Sequence, residues 1–177
     1  MLHKLKTILR HVWLDASDAE RAISPELLAR LAIRVTASEA RHSGEIRIYV
    51  EAALPLSYLR RMGPINALPA IVRQRALMLF SKLRVWDTEQ NNGVLIYLQL
   101  AEHAIEIVAD RGISQYVPTD QWQAITQRMS QAFKERRFED GLTEALSEVS
   151  GVLVRYFPAT AEREGRVNQL PNEPGVG

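Results

Sequence analysis

The feature that most narrows the folds open to this chain is the run Val94-Leu95-Ile96-Tyr97-Leu98-Gln99-Leu100, which is almost unbroken in its apolar character. A strand of that kind is buried on both faces, so it needs a layer of other structure on either side. The gap Ala101-Glu102-His103 leads straight into Ala104-Ile105-Glu106-Ile107-Val108-Ala109. So short a spacer makes the two strands an antiparallel hairpin. A third strand is expected over Glu45 to Ala53, where β-branched and aromatic residues interleave with charge.

Helical periodicity accounts for most of the rest. Ser24 can cap a helix that Pro25 and Glu26 open, running to about Arg41 with Leu27, Leu28, Leu31 and Val35 inward and Gly44 as its stop. The stretch from Pro55 to Pro69 carries three Pro and a Gly and is expected to be irregular, with short helical turns at most. Helices are predicted over Ala70 to Leu83, from a cap at Thr119 or Asp120 to about Arg136, and over Phe138 to Tyr156. Helices on both sides of a small sheet predict an α/β protein, a three-layer α/β/α sandwich. The hairpin makes its small sheet mixed.

At the N-terminus Leu2, Leu5, Leu9 and Val12 recur at helical spacing opposite a basic face. The bland expectation is an amphipathic helix over residues 1–22 packed on or preceding the domain, apolar stripe inward. The sharper one is a helix for a membrane surface or a protein partner. Residues 23–157 then form the α/β domain, and 158–177, rich in Pro and Gly, are expected to be a disordered tail.

Composition removes whole classes of function. With 22 Lys and Arg against 21 Asp and Glu the net charge is +1, which gives no global field for nucleic acid, and none is expected as a partner. The absence of Cys excludes disulfides, thiolate metal sites and Cys nucleophiles. No run is long enough to span a bilayer, and the N-terminus lacks the form of a signal peptide. The expected location is cytoplasmic, with peripheral attachment at an inner membrane as the alternative. Phosphate loops, dinucleotide fingerprints and nucleophile elbows are missing too, since Gly112-Ile113-Ser114-Gln115-Tyr116 has Tyr where an elbow needs Gly.

What remains is oxygen chemistry. Asp87, Thr88, Glu89, Asn91 and Asn92 crowd one loop, and hard cations such as calcium or magnesium take carboxylate, amide and carbonyl oxygens. Because antiparallel partners begin and end together, this loop should adjoin the one after Ala109, bringing in Asp110 and Arg111. Expected metal ligands are Asp87, Thr88, Asn91, Asn92 and Asp110, supported by Glu39, His42, Glu45, Gly93 and Gly112. Equally open is a hydrogen-bonded turn in which Asn92-Gly93 supplies positive φ.

The segments SEARHSGEIRIYVE (Ser38 to Glu51) and RVWDTEQNNGVLIYLQLAEHAIEIVADRGI (Arg84 to Ile113) closely resemble the TPM domain family, and the resemblance runs from about Ala37 to Phe157. It is similar to the short soluble subtype. The family's Asp-Asn-Gly before the central strand stands here as Asn91-Asn92-Gly93, and its turn after the next strand as Asp110-Arg111-Gly112. The resemblance implies a mixed-sheet sandwich, a divalent cation site found in several members, and the acid phosphatase activity attributed to one branch. Two readings stand: a cation-binding interaction or maintenance module serving a protein partner or a membrane-associated system, and a metal-assisted phosphomonoester hydrolase. No catalytic group is assigned; the candidates are Asp87, Glu39 and Arg111.

Overall fold

The computed structural model describes residues 2–14, 16–63, 67–159 and 168–177. Pro64, residues 160–167 of the expected tail and the side chain of Leu2 lie outside the described residues. The strands are β1 Glu45–Glu51, β2 Gly93–Gln99, β3 Ala104–Ala109 and β4 Gly175–Val176. Helices are α1 Leu2–Trp13, α2 Ala16–Ala22, α3 Pro25–Glu39, α4 Leu56–Leu59, α5 Leu68–Lys82, α6 Arg111–Ser114, α7 Thr119–Lys134 and α8 Phe138–Tyr156.

The sheet order is β3-β2-β1-β4. β2 runs antiparallel to β3, Val94 opposite Ala109 and Gln99 opposite Ala104, while β1 runs parallel to β2 and to β4. The sheet is therefore mixed. All seven residues of β2 are buried, and its alternate side chains feed two separate cores. Val94, Ile96 and Leu98 join Ile46, Ile48 and Val50 beneath α2, α3, α7 and α8. Leu95 and Tyr97 face the other way, toward α4 and α5. Each fully buried Ile or Leu here is worth roughly 1.5–3 kcal/mol, so the central strand anchors both halves of an α/β/α sandwich.

Local signals set several boundaries. The hydroxyl of Ser24 accepts from Leu27 N at 3.3 Å, and Pro25 opens α3. Other expectations need correcting. α3 stops at Glu39 with Ala40 still in right-handed geometry, so Gly44 is not its stop. Gly44 serves instead as a close approach, since a Cβ there would lie 2.6 Å from Leu153 Cδ2. The cap of α7 is Pro118, with Thr119 already helical and no side-chain cap bond.

The expected disordered tail is also corrected over residues 168–177. Leu170 is buried in the second core, Arg47 donates to the carbonyls of Pro171 and Glu173, and β4 lies along the free edge of β1. Low apolar content hid this, because an edge strand is held by backbone bonds that composition does not register.

α1 is inverted relative to expectation. Thr7 and His11 are buried and Ile8 packs on the second core, while Leu5, Leu9 and Val12 are exposed. The polar side turns inward because acceptors and a donor await it. Leu54 N donates to His11 Nδ1 at 2.9 Å, so Nε2 carries the ring proton and meets Glu102 Oε1 at 3.0 Å. Arg10 donates to Ala101 O and to Glu102.

Candidate metal centre

β1 and β2 start side by side, and β3 ends beside them, so three connections meet at one end of the sheet. The backbone stitches them together. Asp110 N donates to Gly93 O at 2.9 Å, Gly112 N to Asn91 O at 2.9 Å, and Glu45 N to Asn92 O at 3.4 Å. Two glycines allow the approach. A Cβ on Gly93 would lie 1.9 Å from Val85 O, and one on Gly112 would lie 2.5 Å from Asn91 O. The loop's positive φ falls on Asn91, at 51°, rather than at Gly93.

Asn92 sits at the middle of this junction, fully buried. Its Nδ2 donates to Ser43 Oγ and to Gln90 Oε1, both at 3.2 Å, and Ser43 Oγ donates to Gln90 Oε1 at 2.6 Å. Those bonds fix the amide's orientation. Asn92 Oδ1 is left buried with no hydrogen-bond partner. Asp110 presents the same pattern: Oδ1 accepts from Arg111 N at 2.7 Å, capping α6, while Oδ2 is buried and accepts nothing. Glu45, the first residue of β1, adds a second buried carboxylate at this end.

A buried oxygen with no donor costs about 1–3 kcal/mol, more when it is charged. Two of them in one junction make this end of the sheet the candidate place for a positively charged group. The donor chemistry, two carboxylates, a carboxamide and nearby carbonyls, suits a hard cation and offers nothing to a soft one. Among the described residues no group of three or more His, Asp and Glu side chains is arranged to hold an ion. Any ion here would lean on Asn92 and the backbone as well as on the acids.

The remaining candidates have other surroundings. Asp87 is half-exposed, with its carboxylate 3.8 Å from Arg84. Thr88 is buried and uses its hydroxyl to accept from Asn92 N at 3.0 Å, which shapes the loop. Asn91 turns its Oδ1 outward to Arg111, whose Nε and Nη2 donate at 3.1 and 2.9 Å. Glu39 Oε1 accepts from Ile46 N at 2.9 Å, joining the end of α3 to β1. His42 is fully buried; its Nδ1 donates to Gly44 O at 3.0 Å, and Nε2 meets Ser38 Oγ at 2.9 Å. Ser43 and Gln90, which orient Asn92, escaped the sequence reading because single Ser and Gln residues carry no spacing signal.

A second polar cluster lies where β1 ends. The Glu51 carboxylate takes bonds from the Arg75 guanidinium and from Tyr97 OH at 2.7 Å. Burial, reinforced by the Glu51 charge, pushes the Tyr97 phenol well above its usual range. With both oxygens committed to donors, this acid is structural.

A family model for the TPM domain matches residues 16–152. The BA42 protein of the psychrophilic bacterium Bizionia argentinensis, solved by NMR, superposes with a TM-score of 0.70 at 26% identity, over 88% of this chain and 95% of that one. No curated protein matches. With one sheet end built from the resembling segments and a family model spanning most of its length, the chain belongs to the TPM domain family.

Proposed function

We propose that the chain is a divalent-cation-binding TPM module, with the ion held where β1 and β2 begin and β3 ends. The observation that carries this is the pair of buried oxygens without donors, Asn92 Oδ1 and Asp110 Oδ2, beside the buried Glu45. Calcium or magnesium would be held by Asp110, Asn92 and Glu45. There it supplies positive charge that ties three connections together. As a module of this kind the protein acts in the cytoplasm by presenting the stiffened rim, with Asn91 and Arg111 outermost, to a protein partner.

The test is thermal. Calcium at 100 times its dissociation constant raises stability by about 2.7 kcal/mol through mass action. Asp110→Asn keeps the cap on α6 but removes the charge, so its calcium-induced rise in Tm should vanish while the metal-free variant is no less stable than wild type. An equal rise in both proteins would overturn the proposal.

One observation favours hydrolysis as a second reading: the Arg111 guanidinium stands exposed at the rim, where it could screen a phosphoryl oxygen near the ion. Glu39 accepts from Ile46 N and Asp87 lies beside Arg84, so neither of these two candidates is held toward the buried oxygens. Release of p-nitrophenol from its phosphate ester that requires added cation and is lost in both Asp110→Asn and Arg111→Ala would support this reading. Release unchanged by either substitution would remove it.

A further inference from the structure

We infer that α1, with the neighbouring α4, forms a docking face for an anionic lipid bilayer. This inference is independent of the cation site and draws on a different part of the molecule.

The first observation is the inverted helix. Leu5, Leu9, Val12 and Trp13 fall at helical spacing on one stripe and are 57%, 49%, 58% and 82% exposed. A helix packed on its own domain turns such a stripe inward. Here the inward side is pinned instead by His11, Arg10 and Thr7, so the apolar stripe cannot be buried by rolling α1 without breaking the bonds to Leu54, Ala101 and Glu102. Leu56, which opens α4 two residues after the Leu54 that bonds to His11, is also about half exposed.

The second observation is charge. Residues 1–14 contain three Lys or Arg, and residues 52–86 contain six, yet neither stretch holds any of the chain's 21 Asp and Glu. These two stretches form α1, α4 and α5, which all pack on the second core and make up one outer layer. Acids of neighbouring segments meet four of these nine cations, Glu102 at Arg10, Glu106 at Arg73, Glu51 at Arg75 and Asp87 at Arg84, so the nearly neutral total still hides an excess of positive charge in this layer. Lys6 borders the apolar stripe and is exposed, and Arg60 and Arg61 are exposed at the end of α4. Glu102, the acid that meets α1, is already engaged with Arg10 and His11.

Apolar side chains edged by cations, with an exposed Trp among them, match the interface of a membrane whose headgroups are negative. A neutral bilayer would engage only the stripe. An acidic protein surface is the rival occupant, and a second copy of this chain is another, although two basic layers facing each other repel.

The experiment is co-sedimentation of the full chain with vesicles of phosphatidylcholine containing 30% phosphatidylglycerol, against pure phosphatidylcholine, in about 50 mM salt. Binding should be confined to the anionic vesicles and weaken at least tenfold on raising salt severalfold. Leu9→Asp with Val12→Asp, and separately Lys6→Glu, should each lower binding at least tenfold. These positions are exposed, so circular dichroism and Tm should match wild type. No binding to anionic vesicles, or unchanged binding by the Leu9→Asp, Val12→Asp protein, overturns the inference. So does a concentration-dependent dimer abolished by the same pair of substitutions without any vesicle binding, which would give the face to a second copy.

Discussion

At the scale of single residues, close approach governs the sheet end. Gly93→Ala would place a methyl group 1.9 Å from the Val85 carbonyl, which is backbone and cannot swing aside. The strand or the preceding loop must move, so the substitution should cost more than about 3 kcal/mol, at the high end for single changes, as read by urea denaturation. A loss under 1 kcal/mol would mean that the loop yields easily. Sequence made Asn91-Asn92-Gly93 legible as a junction but placed the positive φ on the wrong residue. The steric reason for Gly93 comes from Val85, eight residues earlier, and no local pattern reports that. Glu106 shows a different balance: burial pushes its carboxyl above the usual range despite Arg73 at 3.1 Å. A raised native pKa means the folded state holds its proton longer, so stability is lost as pH climbs from the ordinary carboxylate value of 4.5 through the native one. Glu106→Gln should therefore have the higher Tm at pH 7, with the gap closing by about pH 3.5.

At the scale of elements, what the sequence shows and what it hides divide along a physical line. α3, β2, β3 and α8 were readable because their burial is periodic and their ends carry local signals. Ser24 is the clearest of these, and Ser24→Ala should lower stability by about 1 kcal/mol by leaving Leu27 N without its side-chain acceptor. An unchanged denaturation midpoint would show that water replaces the cap. α1 was readable as a helix, but its facing was not. Periodicity says that one side is apolar without saying which side meets the domain, and here three polar anchors, Thr7, Arg10 and His11, outweighed a stripe of Leu and Val. The candidate site followed the same rule. Antiparallel register brought Asp110 to Asn91 and Asn92, a topological consequence, whereas the roles of Ser43 and Gln90 depend on side-chain directions that only coordinates supply.

At the scale of the whole molecule, the C-terminal segment closes the sheet and protects its edge. β1 pairs with β2 on one side; on the other, Gly177 N donates to Val50 O at 2.9 Å and Ala52 N to Gly177 O at 2.8 Å. Arg47 is bound by the carbonyls of Pro171 and Glu173, and Leu170 fills the second core from outside the sheet. Removing residues 168–177 would expose Leu170's site, at about 1.5–3 kcal/mol, and several backbone bonds worth about 1 kcal/mol each. The truncated chain should lose roughly 3–5 kcal/mol in urea denaturation. A second consequence follows from the uncovered strand, because Ile46, Ile48 and Val50 would then lie on a free edge whose unpaired amides and carbonyls can template another chain. Light scattering should show self-association growing with concentration in the truncated protein and none in the full chain at equal concentration. If the truncated protein keeps both its midpoint and its monomeric mass, β4 contributes nothing to the fold, and the charge of Arg47, released from the carbonyls of Pro171 and Glu173, guards the edge of β1.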